Sequence, residues 1–196
     1  FSSGMVKREI ASDTGLSFST VSNVCNALED LHILYETKSG DTTVGRTPDK
    51  FHFNSGGYCS LCVERPQEDI LRISALDFAN KLLFQTELPL TADDDAMSLS
   101  NYIQQVYEDL AHSQGFSGIV FVGVGLSVSG GQGHKNRQLT NGLHSNFDNT
   151  SLEELIRQRT GLPCYTESQA NLCVVSVSQA GHNSENILYL HSSTIL

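Results

Sequence analysis

Five short polar side chains, Ser19, Thr20, Ser22, Asn23 and Asn26, share one face of a predicted helix. They are not the Lys/Glu mixture of an ordinary solvated helix. Hydroxyls and amides of this length let a helix backbone approach the floor of a DNA groove and exchange hydrogen bonds with base edges. Cations suited to phosphate lie on either side: Lys7 and Arg8 upstream, Lys38, Arg46 and Lys50 downstream. The other chemistry-bearing residues point less far. Cys59-Ser60-Leu61-Cys62 has CxxC spacing, but Cys25, Cys164 and Cys173 supply no second pair, and no two His lie three or four residues apart. Zinc needs such a set. We therefore read these cysteines as small strand hydrophobes and expect no metal. Asp93-Asp94-Asp95 reads as a solvated loop rather than a cation site. Residues 129–133, Ser-Gly-Gly-Gln-Gly, follow a strand, and such loops cradle phosphates through backbone N–H groups. No Gly-Lys-Ser/Thr follows, so this is not a P-loop.

The elements that must position these residues follow from spacing. Residues 6–14 form a short helix with Ile10 and Ala11 inward, and Gly15 is its stop. Ser17 is the N-cap of a second helix. Over residues 17–31 the apolar positions Val21, Val24, Cys25, Leu28 and Leu31 make one face. Helix, glycine turn and a helix with a polar N-terminal half is the layout of a helix-turn-helix. Residues 33–37 and 50–53 then read as the strands of a hairpin wing. Beyond Gly56-Gly57, a plausible linker, residues 58–63, 70–78 and 81–88 read as three strands, with Ala79-Asn80 turning between the last two. Leu99, Tyr102, Ile103, Val106, Tyr107, Leu110 and Ala111 define a strongly amphipathic helix. Residues 119–128 read as a fully buried strand. Thr150-Ser151-Leu152-Glu153 is a capping box opening a helix to Thr160, which Gly161 ends. A strand starts at Pro163, a helix then runs to Gly181, and residues 186–196 read as a last strand.

Composition bounds the class. Of 196 residues, 39% are hydrophobic and 17% charged, enough apolar material for a core and too little charge for a disordered chain. No stretch reaches the roughly 18 unbroken apolar residues of a membrane span. The absence of a signal-like start and the free thiols suit a cytoplasmic setting. The first residues, Phe1-Ser2-Ser3-Gly4, read as those of a processed or truncated chain. The net charge is −10. Residues 1–53 hold five Lys/Arg and seven Asp/Glu, so 5 − 7 gives −2. Phosphate neutralisation supplies much of DNA affinity, so a monomer should bind weakly and a dimer on a two-fold site would compensate.

The words TGLSFSTVSNVCNALEDLHIL at 14–34 closely resemble the helix-turn-helix of bacterial winged-helix repressors. GVGLSVSGG at 123–131, FDNTSLEELIRQRTGLP at 147–163 and YTESQANLCVVSV at 165–177 resemble the first half of the ROK family of repressors, open reading frames and kinases. Together with Gly45-Arg46-Thr47-Pro48, the two parts are similar to ROK repressors of the xylose-repressor type. The resemblance implies an α/β chain: a winged helix-turn-helix at residues 1–55, then a ribonuclease H-like, actin-like ATPase half-domain at 56–196, with a mixed sheet flanked by helices. It also places Asn141, Glu167, Ser168 and Gln169 near the family's sugar pocket.

Departures from the family argue against catalysis. The first phosphate loop of family kinases is glycine-rich. Here it corresponds to Val63-Glu64-Arg65-Pro66-Gln67-Glu68, which has no glycine, and Glu68 and Asp69 would repel phosphate. Gln169 stands where those kinases carry an aspartate base, and an amide accepts no proton at neutral pH. The family's zinc motif and second phosphate loop lie downstream of this chain's last residue, so the second lobe is expected to be truncated. The expectation is a DNA-binding regulator, a repressor of carbohydrate-related genes, and not an enzyme. Its partners would be double-stranded DNA, a sugar or sugar-phosphate effector and a second copy of itself. Neither a cofactor nor a membrane is expected. DNA contacts are assigned to Lys7, Arg8, Ser19, Thr20, Ser22, Asn23, Asn26, Lys38 and Arg46. A ROK sugar kinase and a protein-interaction module are the alternatives.

Overall fold

The computed structural model describes residues 4–38, 49–67, 69–128, 131–132, 139–140 and 152–179. Its contacts divide into two compact units, Phe1–Tyr58 and Cys59–Leu196.

In the first unit, helix α1 (Lys7–Thr14) stops where Gly15 takes φ 70° and returns its N–H to the Ala11 carbonyl. A residue with a Cβ would meet a cost of about 1–2 kcal/mol in that left-handed conformation. Helix α2 (Phe18–Asp30) starts immediately after Ser17, whose Oγ accepts the Thr20 N–H at 3.2 Å. It ends at a left-handed His32 (φ 57°), with the His32 and Ile33 N–H groups donating to the Glu29 and Leu28 carbonyls. Strand β1 (Leu34–Thr37) pairs antiparallel with β2 (Lys50–Phe53), and Met5 bridges to Phe51. Val21, Cys25 and Phe51 form a small buried core, with Ile10, Ala11 and Leu34 packed against it. Its narrowness corrects part of the expected apolar face. Val24 and Leu31 are 47% and 58% exposed, because they turn off the stripe that α1 and Phe51 cover.

The second unit opens with an antiparallel meander of β3 (Tyr58–Gln67), β4 (Ile70–Asp77) and β5 (Leu82–Pro89). Asp77 accepts the Ala79 and Lys81 N–H groups at 2.8 Å each, holding the turn at Asn80. Helix α3 (Ala96–Ala111) begins three residues earlier than its apolar spacing suggests, and of the acidic triplet before it only Asp93 is exposed to solvent. Asp95 caps α3 by accepting the Ser98 N–H at 2.8 Å. Asp94 is buried and accepts from the Thr91 N–H at 2.7 Å, the Thr91 hydroxyl at 3.0 Å and the Tyr102 hydroxyl at 3.1 Å. Strand β6 (Val120–Val128), the short pair β7 (Gly131–Gln132) and β8 (Leu139–Thr140), helix α4 (Leu152–Thr160), strand β9 (Cys164–Ser168) and helix α5 (Gln169–Gln179) follow.

The main sheet runs β5-β4-β3-β6-β9, with β9 parallel to β6, so it is mixed. Leu61, Val63, Leu71 and Ile73 meet Leu99 and Ile103 of α3 and Ile156 of α4 in the core. β6 is not buried throughout. Val124 and Leu126 are buried, but Val120 and Val122 are exposed, since α3 and α4 cover only one side. Part of the glycine-rich stretch, Gly131 and Gln132, is strand paired with Thr140 and Leu139 rather than loop. Ser129, Gly130, Gly133, Thr150, Ser151, Gly181 and residues 186–196 lie outside the described residues. Among the described residues no helix is long and apolar enough to cross a membrane.

Candidate functional site

The outward start of α2 is the first candidate. Asn23 is exposed, and its side chain has no hydrogen-bond partner among the described residues. Ser19 and Thr20 are exposed too, but their hydroxyls lie 2.9 and 2.8 Å from the Ser17 hydroxyl, so both belong to the cap of α2. Ser22 and Asn26 are engaged differently. Lys7 Nζ donates to Ser22 Oγ at 3.2 Å and to Asn26 Oδ1 at 3.1 Å, and stands 4.9 Å from the centre of the Phe51 ring. One cation thereby ties α1 to the flank of α2. Arg8 is exposed on α1, and Lys38 is exposed just after β1. Arg46 lies outside the described residues. On the hairpin, Tyr35 and His52 stack with ring centres 5.1 Å apart, and Thr37 Oγ1 meets His52 Nε2 at 2.9 Å.

Spacing missed Phe18. It lies three and seven residues before Val21 and Cys25, which would place it with the core, yet it is 58% exposed. It is the first residue of α2, and the core does not extend to it. Leu16 in the turn is 49% exposed. The usable signal was position: a residue next to an N-cap has no preceding helical turn to pack with.

The second candidate is the junction of β9 with α5. Glu167 Oε1 accepts the Ser168 N–H and an Asn171 side-chain N–H, both at 2.7 Å. The Ser168 backbone N–H leads in holding the Glu167 carboxyl below the usual glutamate range. Ser168 Oγ accepts the Asn171 N–H at 3.2 Å, so Ser168 acts as the N-cap of α5. Gln169 opens α5 and is exposed. The structure thus brings Glu167, Ser168 and Gln169 together, while Asn141 lies outside the described residues. Glu153 of α4 supports this strand from behind: it is buried, and its Oε1 accepts the Thr166 N–H at 2.7 Å.

The stretch aligned with a phosphate loop is not a loop. Residues 63–67 are the end of β3, Glu64 pairs with Arg72 at 2.9 Å, and Arg72 also reaches Glu87 at 2.8 Å. Glu68 lies outside the described residues. The CxxC cysteines face opposite sides of β3, because side chains alternate along a strand. Cys59 sits in the core, and Cys62 is half-buried on the other face. Burial pushes the Cys59 thiol up to about 11 and the Cys164 thiol up to about 12.

No family model matches the chain. It is 24% identical over 190 residues to the xylose repressor of Bacillus spizizenii, covering 96% of this chain and 49% of that protein. The xylose repressor of Bacillus subtilis matches at 24% over 197 residues, with the same 96% and 49% coverage. The chain spans about half the length of the curated relatives it matches. The crystal structure of a ROK family transcriptional regulator, a homologue of the E. coli MLC protein, superposes with TM-score 0.71 at 17% identity, over 92% of this chain and 46% of that one. An inorganic polyphosphate/ATP-glucomannokinase from Arthrobacter sp. strain KM superposes with TM-score 0.51 at 16% identity, over 65% of this chain and 51% of that one. The chain is therefore xylose-repressor-like in sequence and ROK-like in fold. The matched sequences are named repressors, while the fold is shared with a kinase.

Proposed function

We propose that this chain is part of a transcriptional repressor of carbohydrate-related genes. Residues 1–55 would be its winged helix-turn-helix, and residues 56–196 a ROK-type actin-like lobe that senses an effector or supports dimerisation. The observation that carries the reading is the capped start of α2, which presents Asn23 unpaired and Ser19 and Thr20 at its N-terminal end. Likeness to two xylose repressors over 96% of the chain supports it. In this reading Asn23, Ser19 and Thr20 meet base edges. Arg8, Lys38 and Arg46 meet phosphates. Lys7 acts through its hold on Ser22 and Asn26. The protein works in the cytoplasm as a homodimer, and a sugar or sugar phosphate at Asn141, Glu167, Ser168 and Gln169 shifts the spacing of two recognition helices.

Gln169 speaks against the kinase alternative, since its amide would accept no hydroxyl proton. The exposed Val24 and Leu31 favour a second reading, in which the first unit docks on a protein. Fluorescence anisotropy with DNA from upstream of the chain's own gene, at two salt concentrations, separates the two. Repression predicts steeply salt-dependent binding, tighter than to scrambled DNA. A folded chain with no DNA affinity at either salt would overturn it.

A further inference from the structure

We propose that Phe18 determines sequence specificity, packing its ring on the C5-methyl group of a thymine in the major groove; this rests on the DNA-binding reading above. Phe18 is the first residue of α2 and follows the Ser17 cap directly. It is 58% exposed and contributes nothing to the core of Val21, Cys25 and Phe51. In a helix each Cα–Cβ bond tilts toward the N-terminus, so the side chain of a first residue projects ahead of the helix end. That is the end a helix-turn-helix presents to base edges. The groove offers one apolar feature there, the thymine methyl, and phenylalanine is among the side chains that meet it.

The neighbours strengthen the assignment. Ser19 and Thr20 have their hydroxyls in the Ser17 cap, and Ser22 and Asn26 are held by Lys7. Near the start of α2 the Phe18 ring and the Asn23 amide are exposed and make no side-chain hydrogen bond or core contact among the described residues. An asparagine amide matches adenine N6 and N7. Phe18 and Asn23 together select A·T pairs, Phe18 by the methyl and Asn23 by the purine edge.

The test uses the 196-residue chain and its Phe18→Ala and Phe18→Leu variants. Each enriches duplexes from a random library, and uracil then replaces thymine at the positions the unaltered chain selects. Uracil lacks only the methyl. The expected result is a selected thymine whose replacement costs the unaltered chain roughly fourfold in affinity, the worth of one buried methylene-sized group. The Phe18→Ala variant neither selects that thymine nor responds to uracil, and Phe18→Leu retains a part of both. Equal selection by the chain and Phe18→Ala, or an equal uracil penalty, overturns the assignment while leaving DNA binding intact. Failure of the unaltered chain to enrich any duplex overturns both readings at once. Because Phe18 lies outside the core, matching circular dichroism of the variants is expected and excludes misfolding as a cause.

Discussion

Replacing Asn23 by Ala should remove the adenine share of sequence discrimination and leave the fold untouched. Asn23 is exposed and has no side-chain partner among the described residues, so its loss should change stability by less than about 0.5 kcal/mol. If its amide makes a bidentate pair with adenine, about 1–3 kcal/mol of discrimination goes with it. That is roughly 5- to 150-fold in affinity for the selected duplex. Asn26→Ala is the internal control. Its Oδ1 accepts from Lys7 Nζ at 3.1 Å, an exposed contact whose loss is worth about 1 kcal/mol at most, or roughly fivefold. Neither residue is charged, so the slope of log affinity against log salt should stay the same in both variants. Anisotropy titrations with the enriched and scrambled duplexes at two salt concentrations give ratio and slope together. An unchanged ratio in Asn23→Ala, or a larger loss in Asn26→Ala, would refute the placement of α2 on DNA.

Three further outcomes are expected. Glu153→Ala should cost about 1–3 kcal/mol, because it strips the acceptor from the Thr166 N–H, whereas Glu153→Gln should keep most of the stability; thermal melts compare them, and equal losses would show that the charge matters rather than the acceptor. His32→Gly should raise the urea midpoint: a left-handed residue is relieved of about 1–2 kcal/mol, against roughly 0.5–1 kcal/mol of added unfolded-chain freedom. Asp94, Asp95 and Glu167 each have folded-state pKa values below their ordinary ones, Asp94 chiefly through the Thr91 N–H, Asp95 through the Ser98 N–H and Glu167 through the Ser168 N–H. Their stabilisation is present above the ordinary carboxylate range and lost as pH falls through the lowered values, so denaturation midpoints should drop below about pH 4, and less steeply in an Asp94→Asn variant.

Local chemistry was legible in the residues. Gly15 stops α1 and Ser17 caps α2 because both act through bonds to groups within four positions. The spacing from Leu99 to Ala111 found α3 for the same reason. What escaped depends on which surface finds a neighbour. Phe18, Val24 and Leu31 have helical apolar spacing but stand where the small core has ended, and no periodicity announces that end. Asp94 and Asp95 look like a solvated charge run until Thr91, Tyr102 and Ser98 are seen around them. The engagement of Lys7 with Ser22 and Asn26 spans 15 and 19 residues, beyond the reach of local spacing. At the β9–α5 junction the sequence words led to Glu167 and Ser168, but their roles in capping α5 required the backbone to be in view.

The carboxylate of Glu153 has a consequence for solubility. Among the described residues β9 ends the main sheet, and an edge strand offers its outward N–H groups as a template for another chain. The Thr166 N–H is one such donor, and Glu153 already occupies it from within the fold. An incoming strand would have to displace a buried anion before it could zip onto β9. The contact thus guards the β9 edge against pairing with another chain.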